Sequence, residues 1–329
     1  MPAFCRAVLI AVTLIAATAA HAKQTKRYWP GPVLTAEAKS RALCESVPNR
    51  IFVATKAGSE CVAYVVTKGN ESRRQAVLFF NGDAPQLPDA ATFDSLMREN
   101  LASVEKVMQH WADKLHVRYV YVARLGLQGS SGDHRRRRQP HETAIMGVVT
   151  KTLMQRLGLD SVALAGQSGG STIAAALLEM KQPGIACAVL GSGAFSLTDL
   201  EYANRTKKGA RVNKAALART MYDPSKHVAE IAADPARRIF VVGDAQDQKA
   251  AFPQQADFAD SVKAAGHHAE LLQVGAAAPD HHSTARYTLP TAGACLNRLP
   301  DDKIARAVAN MQPKPPAAEQ ATLAVGQVQ

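Results

Sequence analysis

Residues 161–180 read S-V-A-L-A-G-Q-S-G-G-S-T-I-A-A-A-L-L-E-M, and the fold turns on how they are understood. The apolar run Val162, Ala163, Leu164, Ala165 predicts a buried strand, and the small residues from Ile173 to Met180 predict a helix. Between them lies Gly166-Gln167-Ser168-Gly169-Gly170, a G-x-S-x-G in the strand–turn–helix setting that a nucleophile elbow requires. A serine on so tight a turn sits in strained backbone, and neighbours without a Cβ let strand and helix approach each other. The turn presents the hydroxyl at a helix N-terminus, where free backbone N–H groups favour developing negative charge. A serine that merely caps a glycine-rich turn is the alternative. The flanking strand and helix favour Ser168 as a nucleophile.

Upstream, β-branched runs at 51–55, 61–67 and 76–80 predict an antiparallel hairpin and then a buried strand ending in Asn81-Gly82-Asp83. Leu96, Leu101, Val104, Val107, Met108 and Trp111 predict a helix over 93–115. A strand at 117–123, a loop at 124–134 with Gly129-Ser130-Ser131-Gly132, and a helix at about 141–157 complete this half. Downstream, a strand at 185–191 precedes a Lys- and Arg-rich segment, 195–236, which reads as a helical insertion forming a partial lid. A strand at 238–242 runs into Gly243-Asp244-Ala245-Gln246-Asp247, followed by a helix at 253–265 and a strand at 269–274. Then come Pro279-Asp280-His281-His282-Ser283 and a last helix at about 285–299, with Pro290 as a break or a first-turn residue. Such alternation predicts an α/β protein: a mostly parallel twisted sheet with helices on both faces. From Gln312 onward there is too little hydrophobic content to pack, and a disordered tail is expected over 312–329.

Residues 1–22 carry Arg6, an apolar core and the small-x-small pattern Ala20-His21-Ala22, which together read as a secretory signal. The apolar run at 7–20 falls short of the roughly 20 residues of a membrane span. A single exported domain over 23–311 is therefore expected, with no transmembrane segment after cleavage. The formal charge of +11 falls to about +10 without Arg6. That suits anionic envelope material or an anionic substrate. No helix-turn-helix, zinc-finger or aromatic-basic RNA pattern supports a nucleic-acid partner. Four cysteines remain after cleavage. Cys44 and Cys61 bracket a short loop and are expected to pair in an oxidising compartment. Cys187 lies in a core strand, where a buried thiol and a bridge to Cys295 are equally good readings. Without C-x-x-C spacing, no metal site is expected.

This order of parts resembles the α/β-hydrolase superfamily over roughly 51–299, on the G-Q-S-G-G elbow, a late acidic loop and a later histidine. Further similarity is to its serine-esterase and dipeptidyl-peptidase-like branches. The family's triad runs Ser, then Asp or Glu, then His along the chain. The resemblance thus implies Ser168 as nucleophile, Asp247 as acid with Asp244 as the alternative, and His282 as base with His281 as the alternative. His282 precedes a small residue, as the family's histidine often does. The oxyanion hole would draw on Gly169 and on Asn81-Gly82-Asp83, where the family often has His-Gly. Gly82 would donate its N–H, and Asn81 would donate its amide or cap the turn. No cofactor is implied. The other histidines, 110, 116, 134, 141, 227, 267 and 268, are expected at the surface.

Arg135, Arg136, Arg137 and Arg138 form the densest charge run. They are read as a solvated loop, or else as a bias toward anionic substrates. The function expected is cleavage of a carboxylic ester through an acyl-enzyme. A serine peptidase with the same triad is the alternative, though most of the family's peptidases carry a further large domain that does not fit upstream of Ile51. A non-catalytic envelope protein on the same fold is the third reading.

Overall fold

Strand β5, Ser161–Gln167, lies at the middle of an eight-stranded sheet. A computed structural model describes residues 40–56, 58–84 and 90–312, with only the backbone of residues 90–100. The expected signal at 1–22 and all but the first residue of the expected tail lie outside these. The other strands are β1 (Arg50–Thr55), β2 (Gly58–Val66), β3 (Gln75–Phe80), β4 (Arg118–Val122), β6 (Ile185–Gly191), β7 (Arg238–Gly243) and β8 (His268–Gln273). Their spatial order is β1-β2-β4-β3-β5-β6-β7-β8. The first two pairings are antiparallel and all others parallel. Strands β3 to β8 therefore end on one edge, where every loop that carries a candidate residue emerges.

Strand alternation divides the interior into two layers. Leu78, Phe80, Val120, Val122, Val162 and Leu164 face one core; Val77, Phe79, Tyr119, Tyr121, Ala163 and Ala165 face the other. The short helix α1 (Arg41–Glu45) precedes β1, and α2 (Ala90–Leu115) packs on the second layer. Helices α3 (Pro140–Arg156) and α4 (Gly169–Glu179) cover the first layer. After β6 come α5 (Leu197–Lys207) and α6 (Lys214–Ala218), followed by two single 3₁₀ turns. The insertion is thus helical. Helix α7 (Phe252–Ala264) returns to the first layer, while α8 (Ala285–Leu296) and α9 (Asp301–Asn310) join α2 on the second.

Cys44 is bonded to Cys61 and Cys187 to Cys295, tying α1 to β2 and β6 to α8. With sequence separations of 17 and 108 residues, closing these loops in the unfolded chain stabilises the fold by about 3 and about 5 kcal/mol. Cys187 is therefore half of a bridge, not a buried thiol.

The C-terminal reading changes. Instead of one helix over 285–299 there are two, and Pro290 lies inside α8. Proline there removes a bond to the carbonyl four residues back, that of Arg286, an exposed residue in the first turn of α8. Helix α1 carried no signal beyond Ser40, whose side chain caps it by accepting from Leu43 N–H at 3.1 Å. Among the described residues, no helix is long and apolar enough to cross a membrane.

Candidate active site

Ser168 separates β5 from α4 with φ 54° and ψ −122°, a left-handed backbone that costs a non-glycine residue on the order of 1–3 kcal/mol. The glycines after it make this turn possible. A Cβ on Gly170 would collide with the Phe80 carbonyl, so α4 meets the end of β3 directly. Gly169 opens α4, and its N–H is one of the first-turn donors that a helix leaves without an internal partner. The Ser168 side chain stands against Gly82, whose added Cβ would lie 3.3 Å from that of Ser168.

The two acids and the two histidines form two separate pairs. His282 Nδ1 lies 2.9 Å from both carboxylate oxygens of Asp247, whose side chain is wholly buried. Asp247 also accepts the backbone N–H groups of Lys249 and Ala250 at 2.9 Å. His281 Nδ1 instead lies 3.2 Å from Asp244, which accepts from Ala276 N–H at 2.6 Å and Gln246 N–H at 2.8 Å. Asp244 is therefore chiefly a carboxylate that holds its turn. Lys249 pairs with Asp280 at 2.5 Å, and Gln248 N–H donates to the Asp280 carbonyl at 3.0 Å, stitching the acid loop to the histidine loop.

Gln167, unremarked in the sequence, completes this arrangement. Its amide donates to the His282 carbonyl at 2.8 Å, and its Oε1 accepts from Thr284 N–H at 2.9 Å and Thr284 Oγ1 at 3.1 Å. The residue before the serine thus grips the loop that carries the histidine. Among the described residues, Ser168 Oγ makes no hydrogen bond to His281 or His282, and the Nε2 of each histidine is without one. Such bonds are commonly long in unliganded sites and shorten on substrate. The only sign of Gln167 in the sequence was its place as a polar residue at the buried end of β5.

A buried ionic cluster backs the turn on the other side. Arg124 donates to both oxygens of Glu142 at 3.0 and 2.9 Å and to Asp83 Oδ1 at 2.5 Å. Asp83 Oδ2 accepts from Arg137 Nε at 3.0 Å and from Arg138 Nη2. Arg138 also donates its N–H to Glu142 at 2.7 Å and reaches Glu201 of α5 at 3.5 Å. Burial alone would raise the Asp83 carboxyl, but the Arg124 and Arg138 guanidiniums hold it well below the usual carboxylate range. A Cβ on Gly169 would strike Asp83 and come within 2.6 Å of Arg124 Nη1, so the cluster lies directly against the candidate oxyanion donor.

Three expectations change here. Arg137 and Arg138 are not a free solvated run: both pair with Asp83, and Arg138 also reaches Glu201. Arg135 and Arg136 behave as expected of a surface run: both are exposed, and Arg135 pairs with Asp133. His134 and His141 are mostly buried, not surface residues. His134 accepts from Ala84 N–H through Nε2 at 3.3 Å, which leaves Nδ1–H to donate to the Leu125 carbonyl at 3.1 Å. Burial and the Arg124 charge push its pKa down to about 4, so the ring is neutral. His141 lies 3.1 Å from Glu60. Finally, the Gly82 N–H donates to Asn81 Oδ1 at 2.8 Å, so Asn81 caps the turn. The next amide, that of Asp83, has no acceptor among the described residues.

His268, Glu270 and Asp301 are near enough to one another to ligate a metal. They sit where β8 begins, on the sheet edge opposite Ser168, and Asp301 is already paired with Arg238 at 2.7 Å.

Strand order, parallel core and elbow together define an α/β-hydrolase fold, and comparison with solved structures agrees. The esterase Pf2001 of Pyrococcus furiosus superposes with a TM-score of 0.53 at 12% identity, covering 82% of this chain and 97% of that one. Est1E of Butyrivibrio proteoclasticus superposes with a TM-score of 0.51 at 11% identity, covering 74% and 96%. No family model matches the sequence, and no curated protein matches it. The chain has the α/β-hydrolase fold.

Proposed function

We propose that this chain is an exported serine hydrolase that cleaves a carboxylic ester with Ser168, His282 and Asp247. The observation that carries the reading is the buried Asp247 carboxylate, 2.9 Å from His282 Nδ1 through both oxygens. Such a carboxylate keeps the proton on Nδ1, leaves Nε2 as the base and stabilises the imidazolium that forms. His282 Nε2 takes the Ser168 proton as Oγ bonds to the ester carbonyl carbon. The tetrahedral oxyanion is received by Gly169 N–H and by the unengaged Asp83 N–H, which takes the part first given to Gly82. His282 then returns the proton to the departing alkoxide. Water, deprotonated by the same imidazole, releases the acid and restores Ser168. Export is supported by the signal-like segment at 1–22 and by two disulfides, which belong to oxidising compartments.

A fluorophosphonate probe tests the proposal: the purified protein takes the label, and Ser168→Ala does not. Turnover of p-nitrophenyl acyl esters with none of aminoacyl-naphthylamides is the expected second result. An unlabelled, correctly folded wild type would sink the reading, and naphthylamide turnover alone would make the chain a peptidase.

A further inference from the structure

Glycine at 169 is not explained by its backbone. Its φ lies outside the left-handed region, glycine is a poor helix former, and G-x-S-x-G leaves the residue after the serine open. What the position requires is the absence of a side chain. A Cβ there would strike Asp83 Oδ1 and come within 2.6 Å of Arg124 Nη1, and these two atoms are the ends of one ion pair, 2.5 Å long. The Arg124–Asp83 bond therefore runs directly against the Gly169 backbone. Arg137 and Arg138 hold the other Asp83 oxygen, and neither is among the atoms nearest Gly169.

The guanidinium has little choice of position. Arg124 is 1% exposed, and Glu142, equally buried in the first turn of α3, accepts from its Nε and Nη2 as a fork, which leaves Nη1 for Asp83. Asp83 needs such an anchor, because the pairing of β3 with both neighbours ends at Phe80. One ion pair thus joins the loop after β3 to the start of α4, the two places from which the proposed oxyanion donors come. We propose that Arg124 is a positioning residue for the oxyanion hole: through Asp83, and packed on Gly169, it fixes the spacing between the Asp83 and Gly169 N–H groups. This rests on the reading of Ser168 as nucleophile and of those two amides as donors. Such donors act only when held about 2.7–3.1 Å from where the oxyanion forms, so loosening the wall behind them costs rate rather than substrate binding. With a carboxylate on each side of the guanidinium its charge is offset, and what it supplies is a fixed distance.

The test compares the wild type with Arg124→Lys, Gly169→Ala and the double variant, with active sites counted by exhaustive fluorophosphonate labelling. Arg124→Lys keeps the charge but cannot hold Glu142 and Asp83 at once as a fork does. Gly169→Ala keeps every charge and forces the ion pair off the backbone. Turnover of p-nitrophenyl acetate is measured beside inhibition by phenylboronic acid. Ser168 Oγ adds to its boron as His282 takes the proton, which gives a tetrahedral anion with an oxygen in the oxyanion site. Each single variant should lose kcat by about 10²-fold, with KM little changed and boronate affinity falling alongside kcat. The pH–rate profile should keep its midpoint, because the Asp247–His282 pair is untouched. In the double variant the two losses should not multiply, since both loosen one contact. Either single variant that folds decides the matter. Wild-type kcat per labelled site and wild-type boronate affinity in it, or losses that multiply in full, would overturn the inference and leave the nucleophile reading standing. Failure of both single variants to fold would also overturn it, by making the ion pair structural. A wild type that takes no label removes the nucleophile reading and this inference with it.

Discussion

The side-chain amide of Gln167 donates to the carbonyl of His282 at 2.8 Å, joining the residue before the serine to the histidine loop across 115 positions of sequence. Thr284, two residues further on, donates to the Oε1 of the same side chain. The strand that sets the serine thereby also sets the height of the imidazole. Gln167→Ala is expected to reduce kcat by about tenfold to a hundredfold with KM little changed, since misplacing a reacting group by about 1 Å costs on that order. Steady-state kinetics on a p-nitrophenyl ester reads this split. A purely structural role would lower the melting temperature and leave kcat per folded molecule intact.

The two Asp–His pairs predict different outcomes for substitutions three residues apart. Asp247→Asn should lower kcat by on the order of 10³–10⁴, because an amide no longer selects the Nδ1–H tautomer. Asp244→Asn should leave kcat within about tenfold. Its cost falls on stability, about 1–3 kcal/mol for the weakened acceptor of two backbone N–H groups. Activity and urea unfolding of the two variants, side by side, decide which aspartate serves the base.

Charge neutralisation in the arginine run should likewise divide. Arg135→Gln with Arg136→Gln should leave both stability and ester turnover unchanged, since surface pairs contribute about 0–1 kcal/mol. Arg138→Gln removes one of the three guanidiniums on the buried Asp83 and should cost about 1–3 kcal/mol. Turnover should also fall if, as proposed, the Asp83 N–H serves the oxyanion. Chemical denaturation of the two sets of variants measures the difference.

Glu179 gives a pH signature. It lies 2% exposed at the end of α4, and neither carboxylate oxygen has a well-formed hydrogen bond, Tyr222 offering only a partial one. Burial raises its pKa from 4.5 to about 9. The folded state thus holds a proton that the unfolded state releases above about 4.5, so this contribution is complete below that pH and is lost as pH rises through about 9. Melting temperature should fall between pH 6 and 10 in the wild type, and the fall should be markedly smaller in Glu179→Gln. His134 acts with the opposite sign at the acid end. Its folded pKa of about 4 lies below the ordinary 6.5, so its contribution is present above 6.5 and is lost as pH falls toward 4.

Much of the fold was legible because local signals agreed with it. The run 162–165 reads as a buried strand and the glycines after Gln167 as a tight turn whatever surrounds them, and the turn residues after β3 and β7 marked where loops leave the sheet. The ionic cluster was not legible. Arg124, Arg138, Asp83 and Glu142 look like ordinary loop and first-turn charges, and only the crossing of β3 and β4 brings them together. Histidines 134 and 141 were misplaced for the same reason, since polarity alone assigns such residues to solvent.

The sequence alone determined the strand-and-helix alternation, the tight turn at Ser168 and the chain order of serine, acids and histidines, because each depends on neighbours a few residues away. The tertiary structure decided which aspartate meets which histidine, that Gln167 holds the loop of His282, and that Arg124 holds Asp83 against Gly169. These depend on distances between segments 35 to more than a hundred residues apart, and on burial, which turns an unremarkable charge into one that needs a partner.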